Sequence, residues 1–356
     1  MSELSRFYKD KRVFVTGHTG FKGAYLCRIL TLFGAEVTGY SLDPPTSPSL
    51  FDLAGVGEEI TDCRGDVRDA GRLEEAIRKA RPEIVFHLAA QPLVRLSYDE
   101  PRLTFETNIM GTVNLMEAVR TLPGIRSVVN ITTDKVYLNN ETGEAFKESD
   151  PLNGYDPYSN SKSCSDLVTQ SYRRSFFDDR VCAVSTARAG NVIGGCDFAK
   201  DRLIPDCVRA AEGRGEIIIR NPASVRPFQH VFEPLNAYLM LAKAQTEEAD
   251  LIGAYNVGPD RDDCLSAGEM ATIFCKAWEE RTGEALTWKN MSDGGPHEAG
   301  FLMLDNNKIK EKLGWRSVWN VRRALEKTAE MEAVRIGGGS VREVLDAQIK
   351  EYFNVG

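Results

Sequence analysis

The sequence lacks cysteine pairs, histidine clusters and long apolar runs. Its eight cysteines are scattered without a CxxC pair and its four histidines are dispersed, so we expect no metal site and predict reduced thiols in a cytoplasmic protein. The longest apolar runs have the length of strands, so we expect no membrane span. The first twelve residues have no apolar core, which argues against a secretory signal. The net charge of -8 argues against nucleic acid or an anionic membrane as a partner.

The first half of the chain contains a regular alternation of strand-like and helix-like segments. Apolar runs of strand length are "RVFVTG", "EVTGYSL", "EITDCRGDV", "EIVFHLAA", "SVVNITT" and "CAVSTARAGNV". Strict alternation of this kind predicts an α/β fold with a doubly wound parallel sheet, the Rossmann arrangement. The alternation ends near Gly194. We therefore predict a Rossmann domain over about 1–190 and a smaller mixed α/β substrate-binding lobe over about 191–356, with roughly 228–258 crossing back to the first domain.

A glycine-rich loop follows the first strand. "VTGHTGFKG" places Gly17, Gly20 and Gly23 between that strand and a helix, where glycines allow a tight turn and a close approach of the backbone to a pyrophosphate. The alternative is a plain strand–helix turn that contains three small residues. The expected cofactor contacts of this loop are Gly17, His18, Thr19, Gly20, Phe21, Lys22 and Gly23.

The end of the second strand bears on the choice of cofactor. An acidic residue there binds the ribose 2′-hydroxyl of NAD and repels the 2′-phosphate of NADP. Ser41 stands near that position, Asp43 follows it, and no arginine follows closely in sequence, so NAD is favoured. Asp66, after the third strand, is a candidate adenine contact, with Val67 beside it. Either acid is also a plausible turn or helix cap.

Two further motifs carry groups suited to chemistry. "YSNSK" places Tyr158 and Lys162 four residues apart on one helix face, where an ammonium favours the phenolate of a tyrosine that acts as a base. "TTDK" places Thr132, Thr133, Asp134 and Lys135 at the end of a buried strand, although such polar side chains are poor core material. "TTDK", "AAQP" and "RAGNV" all follow strands, which predicts one shared site at the carboxyl edge of the sheet.

Taken together, these motifs and a C-terminal "LGW" resemble the extended short-chain dehydrogenase/reductases that act on nucleotide sugars. Within that family, "TTDKVY", "GHTGFKG" and "GGPHEA" are most similar to the dehydratases of CDP-glucose. The resemblance implies a bound NAD and CDP-glucose as the nucleotide diphosphate sugar. It also implies 4,6-dehydration, which consists of oxidation at C4, elimination of water across C5 and C6, and return of the hydride to C6.

The resemblance assigns roles to the catalytic candidates. Thr133 binds the C4 oxygen, Tyr158 removes its proton with the help of Lys162, and a protonated Asp134 supplies the proton for the departing C6 hydroxyl. Lys135 stands where related dTDP-glucose dehydratases have a glutamate, and we assign it as the C5 base. Two alternatives remain open: a charged Lys135 that stabilises the enolate, and a salt bridge from Lys135 to Asp134.

The resemblance also implies further contacts. On the cofactor side these are Ala89, Ala90, Gln91, Thr107, Thr132 and Arg188, in addition to the loop and Tyr158, Lys162, Asp43, Asp66 and Val67. On the substrate side they are Gln91, Asn108, Thr133, Asn191, Leu203, Arg209, Arg220, Asn221, Arg226 and His297, with Arg226 as the diphosphate clamp. Helix packing or solvated surface charge would explain several of them equally well, and His87 is interpreted as a core residue.

Two other functions compete with dehydration. A nucleotide-sugar 4-epimerase also needs the tyrosine, the lysine and NAD, but it needs no acid for elimination, and a dehydratase of another nucleotide-glucose would share every motif. A protein that merely senses NAD would be expected to have lost Tyr158 or Lys162. Relatives commonly pair through two long helices, so we expect a homodimer or homotetramer formed by the helices after Thr104 and Tyr158.

Overall fold

A seven-stranded parallel sheet lies at the centre of the protein and carries helices on both faces. The computed structural model describes residues 2–140, 143–177, 182–200, 202–291 and 302–355. In chain order the strands are β1 Arg12–Thr16, β2 Glu36–Ser41, β3 Thr61–Arg64, β4 Ile84–His87, β5 Ser127–Thr133, β6 Ala183–Ala189, β7 Val192–Ile193, β8 Ile217–Ile219, β9 Val225–Arg226, β10 Gln229–His230, β11 Ala254–Val257, β12 Leu265–Ser266 and β13 Trp288–Asn290.

The helices alternate with these strands in the first half of the chain and predominate in the second half. They are α1 Glu3–Tyr8, α2 Phe21–Leu32, α3 Leu50–Leu53, α4 Ala70–Ala80, α5 Val94–Asp99, α6 Pro101–Phe105, α7 Gly111–Thr121, α8 Pro157–Phe176, α9 Leu203–Glu212, α10 Phe232–Glu247, α11 Ala267–Thr282, α12 Asn307–Leu313, α13 Val321–Ile336 and α14 Val341–Phe353. A π-helical turn, Glu106–Met110, joins α6 to α7, and a 3₁₀ turn, Asp134–Val136, follows β5.

The strand order is β11-β6-β5-β4-β1-β2-β3, and every pair in this sheet is parallel. Every residue of β4, β5 and β6 is buried, as expected for a parallel sheet covered on both faces. The predicted doubly wound α/β fold is therefore confirmed. Because β6, β5, β4 and β1 are neighbours, the segments after them meet at one edge, and these segments are the three polar motifs and the glycine loop.

The seventh strand comes from the second half of the chain. Strand β11, Ala254–Val257, pairs with β6. Helix α10, which precedes this strand in the chain, packs against β5 and β6. Helices α9, α11 and α13 and strand β8 form a second apolar core around Ile217, Phe274 and Leu325. Helix α14 instead packs against α2 and the main core. The exact boundary between the two parts of the chain stays a prediction.

Three structural features concern ligands and surroundings. All eight cysteines lie in the described part of the chain, and each is a free thiol. No group of three or more metal-ligating side chains comes together among the described residues. None of the described helices combines the length and the apolar character that a membrane crossing requires.

Candidate active site

The glycine loop is held in its tight turn by close backbone contacts. Gly17 has a φ of +74°, and a Cβ there would lie 2.7 Å from the backbone nitrogen of Ala89 at the end of β4. A Cβ on Gly23 would lie 2.1 Å from the carbonyl oxygen of Gly17. Gly20 precedes α2, and no side-chain hydrogen bond caps the first turn of this described helix. The N–H groups of that turn therefore fit the pyrophosphate of a dinucleotide.

The side chains of the loop point in different directions. His18 is fully buried, and its Nε2 lies 2.8 Å from Oδ1 of Asp62, so only its backbone can face a cofactor. Thr19 donates to Oγ of Ser41 at 2.9 Å, which places this hydroxyl at the end of β2. Phe21 packs edge-on against Tyr25. The loop thus supplies mainly backbone groups, with Lys22 as its charged side chain.

Lys22 extends towards the catalytic candidates. Burial lowers the pKa of Lys22 to about 8, the positive charge of Arg202 acts in the same direction, and the carboxyl of Asp134 opposes both. Lys22 is therefore close enough to interact electrostatically with Asp134, which follows β5, and with Arg202, which precedes α9. This links the glycine loop electrostatically to the "TTDK" motif.

The corner at the end of β2 contains an arginine that sequence reasoning missed. Asp43 is 92% exposed, and Nη1 of Arg64, at the end of β3, lies 3.5 Å from its Oδ1. The same guanidinium pairs with Asp62 at 2.8 Å. Two carboxylates thus surround an arginine that the sequence-based argument for NAD took to be absent, so the preference for NAD over NADP stays a prediction.

Asp66 is engaged by its neighbour Arg68. Its Oδ1 accepts the backbone N–H of Arg68 at 2.9 Å, and its Oδ2 accepts Nη2 at 2.6 Å. The side-chain bond to Arg68 lowers the pKa of Asp66, while burial opposes the shift. Val67 is buried against Gly111 of α7. The side chains of Asp66 and Val67 are therefore held in place by their neighbours. The contact of Asp66 with an adenine stays a prediction.

The segment after β4 is fixed by a buried amide network. The backbone N–H of Gln91 donates to Oδ1 of Asn108 at 2.8 Å, and Nδ2 of Asn108 donates to Oγ of Ser161 at 2.8 Å. Nε2 of Gln91 donates to Oγ1 of Thr104 at 2.8 Å. These bonds tie the small residues Ala89 and Ala90 to α6 and α8. Asn108 lies in the π turn with Thr107, a kind of irregularity that is frequent at functional sites.

The catalytic motif lies where β5 ends. The strand stops at Thr133, so the next residues leave the alternating pattern that would turn neighbours to opposite faces. Oγ1 of Thr133 donates to Oδ1 of Asp134 at 2.9 Å. Oγ1 of Thr132 donates in another direction, to Oδ2 of Asp166 on α8 at 3.5 Å. Thr132 therefore supports the helix, whereas Thr133 supports Asp134.

Asp134 has the properties of a buried acid. Its side chain is 1% exposed, and its Oδ2 has no hydrogen-bond partner among the described residues. Burial raises the pKa of Asp134, against the opposing effects of the Lys135 charge and the Thr133 hydroxyl. A protonated carboxyl with an unsatisfied oxygen is suited to donate a proton to a bound ligand.

Lys135 follows Asp134 in the same 3₁₀ turn and is half-buried. Its backbone N–H donates to Oγ1 of Thr133 at 3.4 Å. No ion pair joins Lys135 to Asp134 in the part of the chain that the structure describes. The salt-bridge alternative is therefore not observed, and the ammonium remains a candidate for contact with substrate.

Tyr158 and Lys162 lie on the first turns of α8. Burial raises the pKa of Tyr158 to about 12, while the neighbouring Thr133 hydroxyl acts in the opposite direction. Nζ of Lys162 donates to the carbonyl oxygen of Ile131 at 3.0 Å, and burial lowers its pKa to about 7, with the Lys22 charge acting in the same direction. The phenol is thus protonated without ligands, and a bound oxidised nicotinamide would supply the positive charge that favours its ionisation.

Arg188, which the sequence resemblance assigned to the cofactor, is bonded to protein groups in the structure. Its guanidinium is 1% exposed and pairs with Asp166 at 2.7 Å. It also donates to the hydroxyl of Tyr137 at 2.8 Å and to the carbonyl oxygen of Glu148 at 3.1 Å. Because protein groups take these donors, we reassign Arg188 from cofactor binding to support of the site.

The substrate candidates are distributed along the smaller lobe. Arg226, on β9, is half-buried, and its positive charge opposes the rise in the pKa of Asp134, which places the guanidinium near that carboxyl. Asn191 and Leu203 are half-buried beside β7 and at the start of α9. The exposed candidates are Arg209, which is bonded to Asp206, and Arg220 and Asn221. His297 lies outside the described residues.

Sequence reasoning missed a further basic residue, Arg202. Its Nη1 lies 3.2 Å from Oδ2 of Asp197, and its charge acts on the pKa values of both Lys22 and Tyr158. Lys135, Lys22 and Arg226 act on Asp134 itself, so the surroundings of this carboxyl are positive although the whole chain is acidic. Such a local field suits ligands that carry diphosphates.

Comparison with known proteins extends the likeness over both parts of the chain. The family model of GDP-mannose 4,6 dehydratase matches residues 14–328. The CDP-glucose 4,6-dehydratase of Salmonella typhimurium is 44% identical over 354 residues, which cover 98% of each chain. A dTDP-glucose 4,6-dehydratase structure from Streptomyces venezuelae with NAD bound is 25% identical, with a TM-score of 0.73, and covers 92% of this chain and 98% of that one. The UDP-glucose 4-epimerase of Thermus thermophilus, in complex with NAD, is 26% identical, with a TM-score of 0.75, and covers 90% of this chain and 99% of that one.

Proposed function

The chain belongs to the nucleotide-sugar dehydratase family that the GDP-mannose 4,6 dehydratase model describes, and we propose that it converts CDP-D-glucose to CDP-4-dehydro-6-deoxy-D-glucose. It is a lyase that removes one water from its substrate. The observation that carries the chemistry is the buried carboxyl of Asp134, beside Thr133 and Tyr158. Its pKa is raised, and its Oδ2 has no hydrogen-bond partner among the residues that the structure describes. A 4-epimerase has no use for such an acid.

NAD is the cofactor that we propose, and when bound it would supply the acceptor for the C4 hydride and the donor for its return to C6. The loop residues fit the pyrophosphate of NAD, because the uncapped first turn of α2 presents N–H groups behind Gly17 and Gly20. Asp43 and Asp62, which flank Arg64, favour a ribose with free hydroxyls. We assign Lys162 to the second ribose and, in its protonated form, to stabilisation of the Tyr158 phenolate.

The chain's own residues then move the protons. Tyr158 takes the proton of the C4 hydroxyl while Thr133 holds the C4 oxygen. The resulting ketone acidifies the C5 hydrogen, and Lys135 removes that proton in its neutral amine form, since a charged ammonium has no lone pair to accept one. Asp134 protonates the C6 hydroxyl, which leaves as water. A proton returned to C5 completes the product, so that the only net change is the loss of water.

Lys135 as the C5 base rests on its half-buried position in the same turn as Asp134 and on the resemblance of the motif. Replacement of Lys135 by methionine nearly preserves the length of the side chain and removes the amine. We expect K135M to oxidise C4 but to lose the exchange of the C5 hydrogen with deuterated solvent. Normal exchange in K135M would assign the C5 proton to another group and leave Lys135 as a stabiliser of the enolate.

The diphosphate of the sugar nucleotide is bound by the positive surroundings of Asp134, with Arg226 as the main clamp. Arg202 and Lys22 contribute to the same field. The experiment that tests the function is incubation of the pure protein with CDP-glucose, followed by mass spectrometry. Loss of one water supports dehydration, whereas a C4 epimer of unchanged mass would contradict it. Parallel incubations with dTDP-, GDP- and UDP-glucose test the base preference.

A homodimer or homotetramer is the proposed assembly. The supporting observation is that the π turn and α8 expose large apolar side chains, namely Met110 at 48%, Leu167 at 48% and Phe176 at 55%. These lie on the helices that the sequence resemblance marks as a pairing surface. Light scattering checks this proposal, and a monomeric mass at assay concentration would overturn it. A cytoplasmic location also stays a prediction, which cell fractionation tests.

A further inference from the structure

The turn that carries Asp134 and Lys135 is attached to the rest of the protein at its exit, through Tyr137. The Tyr137 side chain is 2% exposed and caps the 3₁₀ turn Asp134–Val136. Its hydroxyl donates to Oδ1 of Asn256 at 2.6 Å and accepts Nη1 of Arg188 at 2.8 Å. Its ring stacks on Phe146, with centroids 4.9 Å apart and planes 3° from parallel. The hydroxyl therefore has a fixed position at the end of the catalytic motif.

The groups that hold this hydroxyl are themselves fixed and unused by the proposed chemistry. Nε and Nη2 of Arg188 donate to Oδ2 and Oδ1 of Asp166 at 2.7 and 3.1 Å, and both side chains are at most 1% exposed. Asn256 is bonded through its backbone N–H to Glu148 at 2.9 Å and through Nδ2 to the carbonyl oxygen of Phe146 at 2.8 Å. Tyr137 is thus anchored to β6 and to β11, which lies beside β6 at the edge of the sheet.

Asp166 connects the same network to the catalytic helix. It lies on α8 one turn after Lys162, and it accepts the hydroxyl of Thr132 at 3.5 Å. Ser163, also on α8, donates to the carbonyl oxygen of Val136 at 2.7 Å. The turn is therefore joined to the helix of Tyr158 and Lys162 by two routes, one through Val136 and one through Tyr137.

We propose that Tyr137 is a positioning residue for the elimination half of the reaction, and this proposal rests on the proposed function. Thr133, Tyr158 and Lys162, which serve oxidation at C4, lie before the turn or on α8. Asp134 and Lys135, which serve removal of the C5 hydrogen and the C6 hydroxyl, lie within the turn. Loosening the exit of the turn displaces the second pair relative to the first group. The consequence is a slower elimination with oxidation preserved.

The test is Tyr137→Phe, which keeps the stacked ring and removes only the hydroxyl. Its matched control is Tyr8→Phe, because the buried hydroxyl of Tyr8 donates to the carbonyl oxygen of Leu239 in α10 at 2.9 Å and not to a group of the turn. Each variant is mixed with NAD and CDP-glucose, and NADH absorbance and product mass are followed over single and multiple turnovers. Ser163→Ala loosens the same turn through its other bond and serves as a second, independent variant.

We expect Y137F and S163A to form NADH at the wild-type rate and to accumulate it. Elimination should slow by about tenfold, because Y137F removes the two hydrogen bonds of the hydroxyl and S163A removes the bond to Val136. The KM for CDP-glucose stays unchanged, and Y8F behaves as wild type. The proposal is overturned if Y137F eliminates water as fast as Y8F, or if both half-reactions of Y137F slow by the same factor. A wild-type protein that forms no NADH and releases no water overturns the proposed function itself, and the role of Tyr137 with it.

Discussion

Replacing Asp134 by asparagine isolates the contribution of the acid. Asparagine has nearly the same shape, and its Oδ1 can still accept the Thr133 hydroxyl, which lies 2.9 Å from the carboxyl. What it cannot do is release a proton from the position of Oδ2, the atom without a partner among the described residues. The substitution therefore removes proton donation and leaves the local packing.

The expected magnitude follows from general acid catalysis, which contributes about 10²- to 10⁴-fold. This corresponds to about 2.7 to 5.4 kcal/mol of barrier, since each tenfold change in rate is about 1.36 kcal/mol. We expect the upper part of this range, because Asp134 is 1% exposed and water cannot easily replace it as the acid. Oxidation at C4 uses Tyr158 and Thr133, so it should change by less than about tenfold.

Rapid mixing of D134N with NAD and CDP-glucose measures both half-reactions, oxidation at C4 and loss of water, in one experiment. NADH absorbance reports oxidation, and mass spectrometry of the quenched mixture reports the loss of water. The account predicts a burst of NADH that persists and a substrate that keeps its C6 hydroxyl. Dehydration by D134N at the wild-type rate would refute the role of Asp134. An equal decrease in the rates of both half-reactions would refute the assignment of Thr133 to oxidation and of Asp134 to elimination.

Three further predictions concern the loop, the core and the response to pH. Gly23→Ala places a Cβ 2.1 Å from a backbone oxygen, so it should cost about 1–3 kcal/mol of stability and weaken NAD binding in calorimetry, whereas Gly71→Ala, with its nearest neighbour 3.8 Å away, should do neither. Arg188→Met leaves the fully buried Asp166 without its partner and should lower the free energy of unfolding in urea by about 3–5 kcal/mol. Burial lowers the pKa of both His87 and His230 to about 3, so these residues bind protons only after unfolding as pH falls below 6.5. Each should therefore reduce stability by about 1.4 kcal/mol per pH unit between 6.5 and 3, and His87→Asn should remove its share of that slope.

Much of the fold and the centre of the site could be predicted from local sequence patterns. The alternation of apolar runs determines a parallel sheet, and strand ends that carry "TTDK" and the glycine loop must meet at its carboxyl edge. Helical spacing puts Tyr158 and Lys162 on one face, and the glycine loop and "TTDK" in the same chain mark this pair as a candidate site. These features depend on neighbours in the chain, which a single sequence displays.

The contacts that could not be predicted join residues far apart in the chain. Arg64, at the end of β3, contacts Asp43, which follows the neighbouring strand β2. Arg188 binds Asp166 and Tyr137. The direction of the His18 side chain, towards Asp62, depends on which face of the loop packs inward. No spacing in the sequence encodes these pairings, since they arise from sheet order and burial.

In the proposed reaction, oxidation, elimination and reduction all occur within one site on one sugar. The most direct measurement uses CDP-glucose that carries deuterium at C4 and locates the label in the product. The account predicts a product that has lost one water and carries the deuterium at C6. A product of unchanged mass with inverted C4, or a dehydrated product without the label at C6, would contradict it.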